Sequence, residues 1–197
     1  MARDVKFIQF AALNIQKDIM NDEKKDKAQL QWSSRMGYPR ITIFTTDKMQ
    51  DENGKFDYNK MIKAPFDFVT IDIFMQRFKT VLESKEEVKF VIDCFNNKFV
   101  NNERTNELEL VAKVTIGRDS EGVVYLAVTE DNKKKIKFEL MPSKYFKIYD
   151  KDNDPITDKR ILSNLYARAY YKRLDFILNI NSNNAVNKDK MISGPAS

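Results

Sequence analysis

Glu107-Leu108-Glu109-Leu110-Val111-Ala112-Lys113-Val114-Thr115-Ile116 is the stretch on which the fold class turns. Leu108, Leu110, Ala112, Val114 and Ile116 fall on one parity. Glu107, Glu109, Val111, Lys113 and Thr115 fall on the other. Successive side chains of a strand point to opposite faces, so this alternation describes a strand with one face in a core and one toward water. Asp119-Ser120-Glu121-Gly122 follows as a hairpin turn, Val123–Thr129 as the next strand, and Glu130-Asp131-Asn132 as a further turn. Ile136, Phe138 and Leu140 then alternate with Lys135, Lys137 and Glu139. Upstream, Val88, Phe90, Ile92 and Cys94 alternate with Lys89, Val91, Asp93 and Phe95, before an Asn-rich loop. Connections this short make the strands antiparallel neighbours.

Further out, the apolar period changes. Ile71, Phe74, Phe78 and Leu82 recur at helical spacing with Met75 and Val81 beside them, which predicts a helix over 71–84 with Thr70 as cap and Asp72 in its first turn. A second helix is expected over 157–180, capped by Thr157 or Asp158. Its apolar face would hold Ile161, Leu162, Leu165, Tyr166, Ala169, Leu174, Ile177 and Leu178, and its polar face Lys159, Arg160, Arg168, Lys172 and Arg173. The first third of the chain reads as strands at 4–13, 28–34, 38–46 and 56–63. A charged loop is expected over 17–27, a turn at 51–54 and a break at Ala64-Pro65. Tyr145–Tyr149 reads as a short edge strand, and residues from about Asn181 to 197 as a flexible, aperiodic tail. The result is α+β: two antiparallel sheets each followed by a helix, in one domain over 1–180 made of halves at about 1–85 and 86–180. A single antiparallel sheet, or a barrel of the oligonucleotide-binding type, with two helices is the alternative.

Composition narrows the chemistry. The 197 residues contain no histidine and one cysteine, Cys94. That leaves no His-based general base or nucleophile pair, no Cys/His zinc site and no intramolecular disulfide. The glycines are scattered singly and none opens a helix after a strand, so no phosphate-binding loop is legible. No apolar run approaches the length of a bilayer span, and the N-terminal residues lack a secretory pattern, so a cytoplasmic protein without a membrane partner is expected. Asp150-Lys151-Asp152-Asn153-Asp154 opens like a calcium loop, but Pro155 stands where a glycine is needed and Ile161 where a bidentate glutamate is needed. Asp93, Glu107, Glu109 and Lys113 resemble the acids of a metal-dependent nuclease, with Val111 where an acid is wanted. Neither pattern is completed. The expectation is no catalytic residue, no metal and no cofactor.

What remains is basic and aromatic. Net charge is +5, a mild bias toward polyanions. Single strands are held by rings that stack on bases and by Lys or Arg that follow the phosphates. The candidates for that role are Trp32, Arg35, Tyr38, Arg40, Phe44, Arg104, Lys113, Arg118, Tyr125, Lys133, Lys134 and Lys135. Each has a competing reading: the rings as core or edge packing, the lysine run as a solvated turn.

The element order, four strands then a helix repeated over Asp4–Asn179 with helices at Thr70–Ser84 and Thr157–Asn179, resembles the Whirly and Pur families of single-stranded nucleic-acid binders and the single-repeat PC4-type. The Lys-Gly-Lys-Ala signature of plant Whirly proteins is absent; Gly54-Lys55 is followed by Phe56-Asp57. The resemblance implies an open sheet face that takes a single strand, helices that mediate assembly, and a homo-oligomer. It implies sequence-tolerant binding, DNA favoured over RNA, in replication, recombination or transcription. The small Lys- and Asn-rich chain also resembles a bacteriophage product, which would place it in a bacterial or infected-host cytoplasm. The competing class is a protein-interaction accessory factor using Tyr166, Tyr170, Tyr171 and nearby apolar groups. A metal-dependent nuclease built on Asp93 ranks third.

Overall fold

Two strands of unequal reach set the shape of the second half. A computed structural model of the chain describes residues 7–9, 13–21, 24–35, 38–45, 62–101, 103–130 and 136–192, with side chains at 13–15, 28–34, 62–101, 103–130 and 136–180. Strands β6 (Val88–Val100), β7 (Glu103–Arg118), β8 (Val124–Thr129) and β9 (Ile136–Glu139) form a four-stranded antiparallel sheet in sequence order. β8 pairs only with Lys113–Arg118 of β7. Beyond that point β6 and β7 continue alone as a two-stranded ribbon, so the expected Asn-rich loop is strand. Asn101, at φ 51°, sits at its turn. A left-handed backbone there suits Asn better than a branched residue. At the sheet end of β7 the expected core parity is buried at Ala112, Val114 and Ile116, but the opposite parity is covered there too, with Thr115 and Gly117 buried; on the ribbon Leu108 is exposed.

In the first half, β3 (Lys24–Arg35) and β4 (Tyr38–Thr45) pair antiparallel, and β5 (Ile62–Pro65) adds to β4. Both β1 (Phe7–Gln9) and β2 (Ile15–Asn21) pair with the remaining edge of β3. The charged stretch 17–27, expected as a loop, is therefore strand at 17–21 and 24–27: Asp18 stands opposite Lys27 and Met20 opposite Lys25. Ladder hydrogen bonds are made by the backbone whatever the side chain, so a charged strand forms when its neighbour is in register. Ala64-Pro65, expected as a break, ends β5; proline is tolerated on such an edge. The expected turn at 51–54 lies outside the described residues.

Helix α1 (Phe68–Glu83) starts earlier than expected. Asp67, not Thr70, is its cap: the Asp67 carboxylate accepts the Thr70 backbone N–H at 2.6 Å, and that bond holds its pKa below the ordinary carboxylate value. Its buried face is Ile71, Phe74, Met75, Phe78, Val81 and Leu82, as the spacing predicts. Helix α2 (Lys159–Ile192) is capped by Asp158, which accepts the Arg160 N–H at 2.7 Å. It runs through 181–192, where an aperiodic tail was expected. Its buried stripe is Ser163, Ala167, Tyr170, Leu174 and Leu178; Ile161 and Leu165, assigned to the apolar face, are exposed. Tyr145–Tyr149 forms no strand, only an isolated bridge from Tyr149 to Pro155.

One apolar cluster joins these elements. Trp32 stacks on Phe66, which leads to Phe74, Phe78 and then Tyr170 and Tyr171 of α2. Among the described residues no helix is long and apolar enough to cross a membrane.

Candidate nucleic-acid interface

Three of the proposed contact residues belong to the interior. Trp32 is fully buried, and its Nε1–H donates to the Tyr170 hydroxyl at 2.9 Å; that hydroxyl donates in turn to the Leu13 carbonyl at 2.9 Å. A ring so enclosed has no face for a base. Arg118 shares the core parity of β7 with Ala112, Val114 and Ile116. Its Nη1–H donates to the Gly122 carbonyl at 2.7 Å, and its Nε and Nη2 reach the Val81 carbonyl at 3.4 and 3.3 Å. Burial, with Arg168 and Arg160 nearby, lowers its pKa. It braces the C-terminal end of α1, which has no basic residue of its own in its last turn. Tyr125 is buried with its ring against Gly117, and Lys137 lies over that ring at 4.7 Å. A Cβ at Gly117 would meet the Tyr125 ring, so the glycine makes room for it.

The other candidates do not converge. Lys113 is half-buried, opposite Asp93 and Thr129 in register, on the sheet face away from the core. Arg104 lies on the ribbon with its guanidinium on the Asn97 amide oxygen. The path along β7 between them is roughly 30 Å at the usual rise per residue. Arg35, Tyr38, Arg40 and Phe44 fall, by register, on the face of the first sheet opposite that of Trp32; their side chains lie outside the described residues. Gln31 and Ser33 share that face and are buried, so its centre is not open to solvent there. Lys133, Lys134 and Lys135 also lie outside the described residues. The interaction candidate Tyr170 is buried, and Tyr166 and Tyr171 pack half-buried against the core.

The exposed aromatic cluster lies elsewhere, in the connection from β9 to α2. Tyr145 is 82% exposed, Phe146 73% and Tyr149 50%. The loop that carries them is hydrogen-bonded rather than loose. Leu140 N–H donates to the Val124 carbonyl at 2.8 Å and fixes the entry. Phe146 N–H donates to the Ser143 carbonyl at 3.0 Å, and Ile156 N–H to the Ile148 carbonyl at 2.8 Å. Asp150, the would-be first calcium ligand, is spent on the turn: one of its oxygens accepts the N–H groups of Asp152 and Asp154 at 2.9 and 3.0 Å. Asn153 takes the left-handed position at φ 65°. Among the described residues no group of three or more acids, cysteines or histidines is placed to hold a metal.

Three lysines flank these rings. Lys144 lies over the Tyr145 ring at 5.4 Å, and Lys151 pairs with Asp152 at 3.4 Å. Lys144 and Lys147 have no carboxylate partner among the described residues. Rings with open faces and unpaired ammonium groups within one short, braced loop are what stacking on bases and neutralising phosphates require. The residue types were legible in sequence; their exposure was not, because Tyr145, Ile148 and Tyr149 read equally as an edge strand.

No family model, curated protein or solved structure matches the chain.

Proposed function

We propose that the chain binds single-stranded nucleic acid, DNA in preference to RNA, without regard to sequence and without chemistry. The observation that carries this is the braced loop with Tyr145, Phe146 and Tyr149 exposed beside Lys144 and Lys147. Rings of this kind contribute roughly 1–3 kcal/mol per stacked base. Two sheet–helix halves of Whirly type fit the same reading, since β1 and β2 share one edge of β3 and so act as one lane of a four-lane sheet. A cytoplasmic role in replication, recombination or transcription, in a phage-infected cell, follows from that reading.

The test is fluorescence anisotropy of labelled oligo-dT at two salt concentrations, with oligo-rU and a duplex of equal length as controls. Binding is expected to favour oligo-dT and to weaken as salt rises, because each neutralised phosphate releases counterion. The Tyr145→Ala/Phe146→Ala variant is expected to lose at least tenfold in affinity. No binding at micromolar protein in low salt, or a variant that binds as wild type, overturns the assignment.

A protein-interaction role is the second reading, and one observation favours it. The β6–β7 ribbon exposes Phe95, Phe99, Val100 and Leu108, while its charges are mixed: Lys98 and Arg104 against Glu103, Glu107 and Glu109. An exposed apolar stripe of this kind suits another protein.

A further inference from the structure

Strand β6 is an edge strand 13 residues long, and among the described strands it pairs with β7 alone. Its regular stretch ahead of the first bulge, Val88–Cys94, holds no proline and has no second partner among the described strands, and such an edge is a template for another chain. The opposite edge of the same sheet, β9, has 4 residues among those described. The two edges of this sheet are thus unequally suited to pairing.

The sequence of β6 is self-complementary about one residue. On the face away from the core lie Lys89, Val91 and Asp93, all exposed; Val91 is 48% so. Across a two-fold axis through Val91, an antiparallel copy of the same strand sets Lys89 opposite the second copy's Asp93, and Asp93 opposite the second copy's Lys89. Val91 meets Val91 on the axis. On the other face Phe90 meets the second copy's Ile92, and both residues are half-buried against the core already. Opposed residues in an antiparallel pair point to the same side, so the charges meet in the open and the apolar groups extend the interior. Neither Lys89 nor Asp93 has an ion-pair partner within the described residues. Isologous contact of one patch with itself is the commonest symmetry of soluble assemblies.

We propose that two copies of this chain join edge to edge through β6, antiparallel and centred on Val91, to make one continuous eight-stranded sheet. The inference stands apart from the nucleic-acid reading.

Sedimentation of the full chain over a range of micromolar concentrations tests it. Wild type is expected to dimerise. Lys89→Glu sets acid against acid at both ends of the pairing, and Asp93→Lys sets base against base; each is expected to weaken self-association at least tenfold. The double exchange Lys89→Asp/Asp93→Lys restores the complement and the dimer. All these positions are exposed, and circular dichroism checks that each variant is folded. A monomeric wild type, an association unmoved by either single change, or a double exchange no tighter than the single variants, overturns the proposal.

Discussion

Tyr170 illustrates how one side chain can bind distant parts of the sequence. Its hydroxyl accepts from the Trp32 indole and donates to the Leu13 carbonyl, both buried. Tyr170→Phe removes the oxygen and leaves an indole N–H and a carbonyl without partners. Each orphaned group costs about 1–3 kcal/mol, so the variant is expected to lose roughly 2–6 kcal/mol in urea unfolding. A loss under 0.5 kcal/mol would mean that water replaces the hydroxyl. Burial also raises the Tyr170 pKa, and raises that of the Cys94 thiol to about 11. Neither group ionises at neutral pH. The sequence placed Cys94 and Trp32 on alternating strands, but alternation alone does not say which face is wet. Trp32 and Tyr125 are legible as rings on strands but not as buried ones; Arg118, expected at a strand end, lies on the core parity and is held there by the carbonyls of Val81 and Gly122.

Among the elements, the β7–β8 turn depends on a single carboxylate. Asp119 accepts the Val123 N–H at 2.8 Å and pairs with Lys137 of β9. Burial raises its pKa, but the Lys137 and backbone hydrogen bonds outweigh that, and the net shift is downward. A carboxylate with a depressed folded pKa adds stability above its unfolded pKa and loses it as pH falls through the folded one. Asp119→Asn is therefore expected to be less stable than wild type at pH 7. The gap should close on acidification below the ordinary value of 3.8, as denaturant midpoints at several pH values would show. A gap independent of pH would assign the effect to geometry alone. Elements with strong periodicity were legible in part: α1's buried face is the expected one, and so is the core parity of β7 at its sheet end, but the other parity, expected to face water, is covered there at Thr115. The errors cluster where side chains gave a false local signal. Charged residues at 17–21 and 24–27 and the asparagines at 96 and 97 resemble loops, yet cross-strand partners keep them in strands. The aromatic loop went the other way, its β-type residues held by Asp150 and Ser143 in turns instead.

At the scale of the whole molecule, the two halves share one interior. α1 packs against α2 through Phe78 and Tyr171, and Arg168 of α2 donates to the Leu82 carbonyl at 2.9 Å. Unfolding is expected to be a single transition: Trp32 fluorescence, which reports on the first half, and far-ultraviolet circular dichroism should give one superimposable curve in urea. Two separated midpoints would show that the halves fold independently. The α+β class with two helices in one domain was expected from element order, whereas the pairing of apolar faces was not legible, since no local pattern states which face meets which.

The two arginines at the end of α1 have a consequence for the order in which the chain can be built. A ribosome delivers α1 long before Arg118 and Arg168 exist to receive its last carbonyls, and delivers Trp32 long before Tyr170. The nascent first half thus leaves the exit tunnel with its termination unfinished and its central ring unanswered. Those contacts close only once the last helix is translated. Native contacts so remote in sequence make for slow folding, and the final helix serves as the latch that ends the wait.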